Sequence, residues 1–141
     1  MKIKDIMTTN VQCVNQGEPI TRAAEIMRQE DVGSVPVEEY NKLVGILTDR
    51  DIVLRDVAEA KDPTNTVCGE IMSKDVVACS PEMDADEVAN LMSQHQIRRI
   101  PVVENEKVVG IVALGDFATK NNWSDEAGEA LSDISCQDHQ H

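Results

Sequence analysis

Val44-Gly45-Ile46-Leu47-Thr48-Asp49-Arg50-Asp51 is an apolar run that ends in a polar corner. Sixty-five residues later, Val109-Gly110-Ile111-Val112-Ala113-Leu114-Gly115-Asp116 repeats its valine, glycine, isoleucine and closing aspartate in register. Similarity at a fixed offset is the signature of an internal repeat. An offset of 65 aligns residues 5–55 with 70–120 without a gap, and 14 of the 51 positions are identical. Among them are Ile6-Met7 with Ile71-Met72, Val11 with Val76, Met27 with Met92, and Pro36-Val37 with Pro101-Val102. The chain is a tandem duplication.

Each copy predicts the order β-α-β-β-α. A turn carrying Ile6 and Met7 opens the first copy and leads to a strand near Val11 to Val14. A helix follows, with Ile20, Ala23, Ala24 and Met27 at helical spacing and Pro19 suited to its first turn. Val35-Pro36-Val37 and Leu43 to Leu47 are short β-branched runs separated by polar residues, which reads as two strands and a turn. A second helix starts at Asp49. The second copy runs in parallel: a strand at Val76 to Cys79, a helix at Ala85 to Gln94, strands at Ile100 to Val103 and Lys107 to Val112, and a helix from Leu114.

A copy of about 50 residues buries too little surface to stand alone. The halves are therefore expected to pack through their sheets about a pseudo-twofold axis, an α+β architecture with clefts between the motifs. The boundaries expected are 1–60 and 67–122 for the two motifs, 61–66 for a linker and 123–141 for an acidic tail. Within that tail, Ala127, Ala130, Leu131 and Ile134 are spaced for one short helix.

Composition narrows the function. The formal charge is −13, from 26 acidic against 13 basic residues, which excludes a basic footprint for nucleic acid or an anionic membrane. No run approaches the ~20 apolar residues that span a bilayer, and the N-terminus lacks a signal-peptide core, so a cytoplasmic protein is expected. Aromatic residues make up only 2% of the chain, so its core is aliphatic. Cys13, Cys68, Cys79 and Cys136 show no C-x-x-C pairing, which disfavours a zinc or redox centre and leaves them as free thiols. His139 and His141 read as solvated terminal residues.

The two corners are where ligand chemistry can reside. Thr48 followed three residues later by Asp51 is a capping box, a complete structural explanation. A carboxylate at the end of an apolar strand can also accept a pair of hydroxyls, as in ribose recognition, beside N–H groups that favour anions. The second corner has Ala113 in place of the hydroxyl and yet keeps Asp116. Arg98 and Arg99 stand directly before an apolar strand where the first copy has Gly33 and Ser34. They read either as solvated charge or as guanidinium groups matched to phosphate. No nucleophile elbow, P-loop, G-x-G-x-x-G or H-E-x-x-H is present, and His95 reads as an exposed helix residue. No catalytic residue and no metal ligand is assigned.

The duplicated G-h-h-T-x-x-D corner (h for an apolar residue), together with the apolar-Pro-Val strand, resembles a tandem pair of CBS domains, the Bateman module. The resemblance covers Ile3 to about Lys120 and extends to the small stand-alone bacterial pairs of the hypoxic-response kind. It implies a regulatory module, not an enzyme, that binds an adenosine ligand such as AMP, ADP, ATP or S-adenosylmethionine. It requires no cofactor, and it implies a homodimer and a regulated protein partner. Carried over by position, Asp51 matches the ribose-binding aspartate, Thr48 a hydroxyl near ribose or phosphate, and Ile46 an adenine contact. Val76 and Val77 then stand beside the adenine and Arg98 and Arg99 at the phosphate. A second, weaker cleft would use Val11, Arg50, Ile111 and Asp116. A module whose motifs survive only as caps and packing in a protein-interaction dimer is the alternative.

Overall fold

The computed structural model describes residues 1–119, and the chain divides into two compact units. One comprises residues 12–76; the other joins residues 1–11 to the described residues from Val77 to Thr119. The expected tail helix, Trp123, Cys136, His139 and His141 lie outside the described residues.

The 12–76 unit holds a three-stranded sheet in the order β1-β2-β3. β1 (Val14–Asn15) runs parallel to β2 (Ser34–Glu39), which pairs antiparallel with β3 (Lys42–Thr48). The β2–β3 turn places Tyr40 and Asn41 at φ 52 and 63, as a two-residue hairpin turn with the twist of its strands requires. α1 (Ile20–Glu30) follows Pro19 and turns Ile20, Ala23, Ile26 and Met27 inward, the i, i+3, i+6, i+7 face of an amphipathic helix. β3 feeds α2 (Asp49–Ile52), which continues into a π-helical turn over Val53–Val57. α3 (Cys68–Ile71) closes the unit.

The second unit repeats this plan. α4 (Ala85–His95) buries Ala85, Val88, Ala89 and Met92. β4 (Arg99–Glu104) and β5 (Lys107–Ala113) form an antiparallel pair, followed by α5 (Leu114–Thr119). Both hairpins carry their register irregularity at the same repeat position, Val37/Glu38 and Val102/Val103.

Repeat and compact unit do not coincide, because each repeat's opening turn belongs to the unit built by the other repeat. Ile3 and Ile6 are buried in a core with Val88, Met92, Ile100 and Phe117, whereas Cys68, Ile71 and Met72 are buried with Val14, Ile26, Val37 and Leu47. The motif glycines make this possible. A Cβ on Gly45 would stand 2.5 Å from Met72 Sδ and 2.9 Å from the Ser73 carbonyl, and one on Gly110 would stand 2.7 Å from Met7 Sδ and 2.9 Å from the Thr8 carbonyl. With no side chain there, the opening segment lies directly on the strand. Ile46 and Ser73 exchange N–H···O bonds of 2.9 and 2.8 Å, and Ile111 and Thr8 exchange two of 2.9 Å.

Two expected strands are shorter than the apolar pattern suggests. Val11 to Val14 contributes only β1 at Val14–Asn15, and Val76 to Cys79 contributes only a parallel bridge from Cys79 to Val102. The N–H groups of Val11 and Val76 are taken by the carbonyls two residues before them, Thr9 and Lys74, so both valines sit in local turns instead of a ladder. Among the described residues no helix is long and apolar enough to cross a membrane.

Candidate functional site

The first corner is a complete capping box. Thr48 Oγ1 accepts the Asp51 N–H at 3.0 Å, and Asp51 Oδ2 accepts the Thr48 N–H at 3.0 Å. The reciprocal pair fixes where the strand stops and holds the Asp51 carboxylate at the strand end, 8% exposed. That explains its position but leaves its other lone pairs.

Those lone pairs meet two residues that sequence reasoning did not single out. Ser73 donates its hydroxyl to both carboxylate oxygens, at 3.3 Å each. Arg55 brings Nε to 3.8 Å from Oδ1, while its Nη1 donates to the carbonyls of Ile71 and Met72 at 3.3 and 3.2 Å. Signals for both existed. Thr8 falls on Ser73 at the repeat offset, so the hydroxyl occurs twice, and Arg55 is four residues after Asp51 on one helical face. Ile46 is half-buried and tied to Ser73 by its backbone, and Val76, three residues on, is also half-buried. The structure thus brings Ile46, Thr48, Asp51 and Val76 into one unit, whereas Val77, Arg98 and Arg99 belong to the other.

The second corner is half a box. Asp116 Oδ2 accepts the Ala113 N–H at 2.8 Å, and Ala113 has no hydroxyl to return the bond. Ile111 carries the bridge to Thr8, and Val11 lies three residues along from it, half-buried. Within this unit Arg99 is the register partner of Ala113, and the Arg98 carbonyl accepts the Leu114 N–H at 2.8 Å. Both arginines are therefore at the mouth of the Asp116 corner, as Gly33 and Ser34 are at that of Asp51. Arg50, exposed on α2, belongs with Asp51's unit.

The CBS-domain family profile matches residues 3–58 and 68–120. The chain belongs to the CBS-domain family. It is 46% identical to the CBS domain-containing protein YhcV of Bacillus subtilis, over 96% of both chains. It is 38% identical to hypoxic response protein 1 of Mycobacterium tuberculosis, over 82% of this chain and 81% of that one. A crystal structure of hypoxic response protein I with two coordinated zinc ions superposes with a TM-score of 0.78 at 37% identity, covering 84% of this chain and 98% of that one. The CBS pair of protein MJ0100, solved with 5′-methylthioadenosine and S-adenosylmethionine, superposes at 0.73 with 31% identity, over 84% and 94% of the respective chains.

Other chemistries have little to work with. Among the described residues no group of three or more His, Cys, Asp or Glu could hold a metal. Cys13, Cys68 and Cys79 are free thiols. Burial, with Glu18 nearby, pushes Cys68 up to about 11, and burial alone pushes Cys79 to about 11. Such thiols stay protonated at neutral pH and are poor nucleophiles. His95 is exposed at the end of α4.

Proposed function

We propose that this CBS pair is a non-enzymatic regulatory module that holds an adenosine-type ligand at Asp51. The observation that carries the reading is a carboxylate fixed by a capping box, with a single hydroxyl donor, Ser73, resting on both of its oxygens. A ribose diol offers two such donors and can take Ser73's place. Ile46 and Val76, on the same unit as Asp51, are apolar neighbours for the adenine. Val11, Ile111 and Asp116 make the weaker set, since Ala113 lacks the hydroxyl. MJ0100, a relative of the same fold, was solved with two adenosine derivatives. Ligand regulates by binding two arrangements of the module with different affinity. The test is a thermal shift with AMP, ADP, ATP, S-adenosylmethionine and 5′-methylthioadenosine. A ligand at 100 times its dissociation constant adds ~2.7 kcal/mol. An unmoved midpoint with all five at millimolar concentration contradicts the reading.

Self-association is supported by a separate observation. Val53, Leu54 and Val57 are 55, 46 and 64% exposed on one turn. Three adjacent uncovered aliphatic side chains suit a protein partner, here a second copy forming a homodimer. Leu54→Lys with Val57→Lys should halve the mass seen by light scattering. A monomeric mass for the unmodified protein contradicts self-association, and the nucleotide reading then stands alone.

A further inference from the structure

The opening turn of the second repeat is tied to the Asp51 corner through both backbone and side chains. Its backbone is bridged to β3, where Ile46 and Ser73 exchange bonds of 2.9 and 2.8 Å. Its carbonyls at Ile71 and Met72 accept Arg55 Nη1 at 3.3 and 3.2 Å. The Ser73 hydroxyl then reaches both oxygens of the Asp51 carboxylate at 3.3 Å. Arg55 Nε stands 3.8 Å from Oδ1, beyond hydrogen-bond reach, so of these ties only the hydroxyl occupies lone pairs that a diol needs. It is also the weakest of them, a single donor shared between two acceptors at a long distance. A polar cavity of ≈ 570 Å³ lies beside it, with Ser73 on its wall together with the exposed Lys74 and Asp75. Residues 73–75 can therefore draw back from the carboxylate into open space without pulling a large apolar side chain out of the core.

Resting on the reading of Asp51 as a ribose site, we infer that Ser73 is a built-in competitor for that ligand, so that binding unlatches the segment from Ser73 to Val76 from the corner. A diol that donates to both oxygens takes the position in which the Ser73 hydroxyl rests, and the two exclude each other. Exclusion makes the coupling reciprocal: the latch weakens the ligand by the same factor as the ligand weakens the latch. The backbone bridge to Ile46 and the Arg55 bonds remain, so the turn loosens locally while the 12–76 unit stays folded. Asp51 comes from the first repeat and Ser73 from the second, so occupancy of one corner is passed to a segment of the other repeat. That segment is exposed at Lys74 and Asp75, where a regulated partner can read the change.

Calorimetric titration with 5′-methylthioadenosine and amide hydrogen exchange, both on the full chain, test this. Ser73→Ala, relieved of the competing hydroxyl, should bind the ligand about three- to tenfold more tightly than the unmodified chain, the worth of one ordinary hydrogen bond that need not be broken. Ser73→Thr keeps a hydroxyl and should remove most of that gain. A residue that merely supports the site would give the opposite sign, since its loss weakens binding. In the unmodified chain the ligand should speed exchange severalfold over residues 72–76 while slowing it over α1, and in Ser73→Ala the acceleration should vanish. The exchange measurement on the unmodified chain decides the matter even where Ser73→Ala is too unstable to titrate. Equal or weaker binding by Ser73→Ala, or unchanged or slower exchange at 72–76 with ligand bound, overturns the inference and leaves the adenosine reading standing. No binding to the unmodified chain at millimolar ligand overturns both.

Discussion

Ser73 rests its hydroxyl on both oxygens of Asp51, and the two residues come from different repeats joined in one compact unit. Removing that hydroxyl in Ser73→Ala should cost about 1 kcal/mol, the net worth of an ordinary hydrogen bond, since this one is long at 3.3 Å to each oxygen and the carboxylate keeps its other partners. Urea unfolding should show a lower midpoint at unchanged slope. Ser73→Thr, which retains the hydroxyl as Thr8 does in the other copy, should lie between the two.

The difference between the two caps can be tested in both directions. Thr48→Ala removes the acceptor for the Asp51 N–H and should destabilise by ~1 kcal/mol. Ala113→Thr supplies the missing acceptor three residues before Asp116, whose carboxylate already takes the Ala113 N–H, and should raise stability by up to ~1 kcal/mol. Thermal midpoints of the two variants should move in opposite directions.

Gly45→Ala and Gly110→Ala should be among the most damaging single-methyl changes in the protein. Each added Cβ meets a backbone carbonyl at 2.9 Å, Ser73 in one unit and Thr8 in the other, as well as a methionine sulfur. The methionine can turn aside but the carbonyl is held by its bridge, so a loss of ~1–3 kcal/mol is expected from calorimetry. Gly115→Ala, with nothing within 4 Å of the new methyl, is the control.

Asp56 presents the reverse of normal packing. It is 0% exposed, and neither carboxylate oxygen has a hydrogen-bond partner among the described residues, while its neighbours Val53, Leu54 and Val57 face solvent. A buried unpaired polar group costs about 1–3 kcal/mol. Asp56→Asn, of the same shape without the charge, should raise the thermal midpoint.

Cys68 and Cys79 give a pH dependence whose sign follows from burial. Their thiols titrate near 11 in the folded chain and near 9.0 when unfolded. Above that unfolded value the unfolded chain has released protons that the folded chain retains, so stability is full below about pH 9 and falls as pH rises toward 11. Thiol labelling of the native protein at pH 8 should be slow at both residues and become fast on adding denaturant.

Most of the architecture is legible in the sequence because its signals are local and doubled. The 65-residue repeat, the helical spacing of Ile20 to Met27 and Ala85 to Met92, and the Thr48–Asp51 box each predict what is found. The exchange of opening turns is not legible, since nothing in Ile6-Met7 or Ile71-Met72 says which strand they will lie on. The short strand at Val14 and the lone bridge at Cys79 escape for a related reason: β-branched content signals extension, but pairing depends on where the next segment passes. At the site, Asp51 and Thr48 are visible from their spacing of three. Ser73 and Arg55 are brought to Asp51 by the exchange and by the helical turn that follows it.

The most direct test is calorimetric titration of 5′-methylthioadenosine into the intact chain and into Asp51→Ala, with Thr48→Ala as a control for the loss of cap energy. The account predicts saturable binding to the intact chain, at least a tenfold loss in Asp51→Ala while its unfolding stays cooperative, and a smaller loss in Thr48→Ala. Equal binding by Asp51→Ala, or no binding to the intact chain at millimolar ligand, would contradict it.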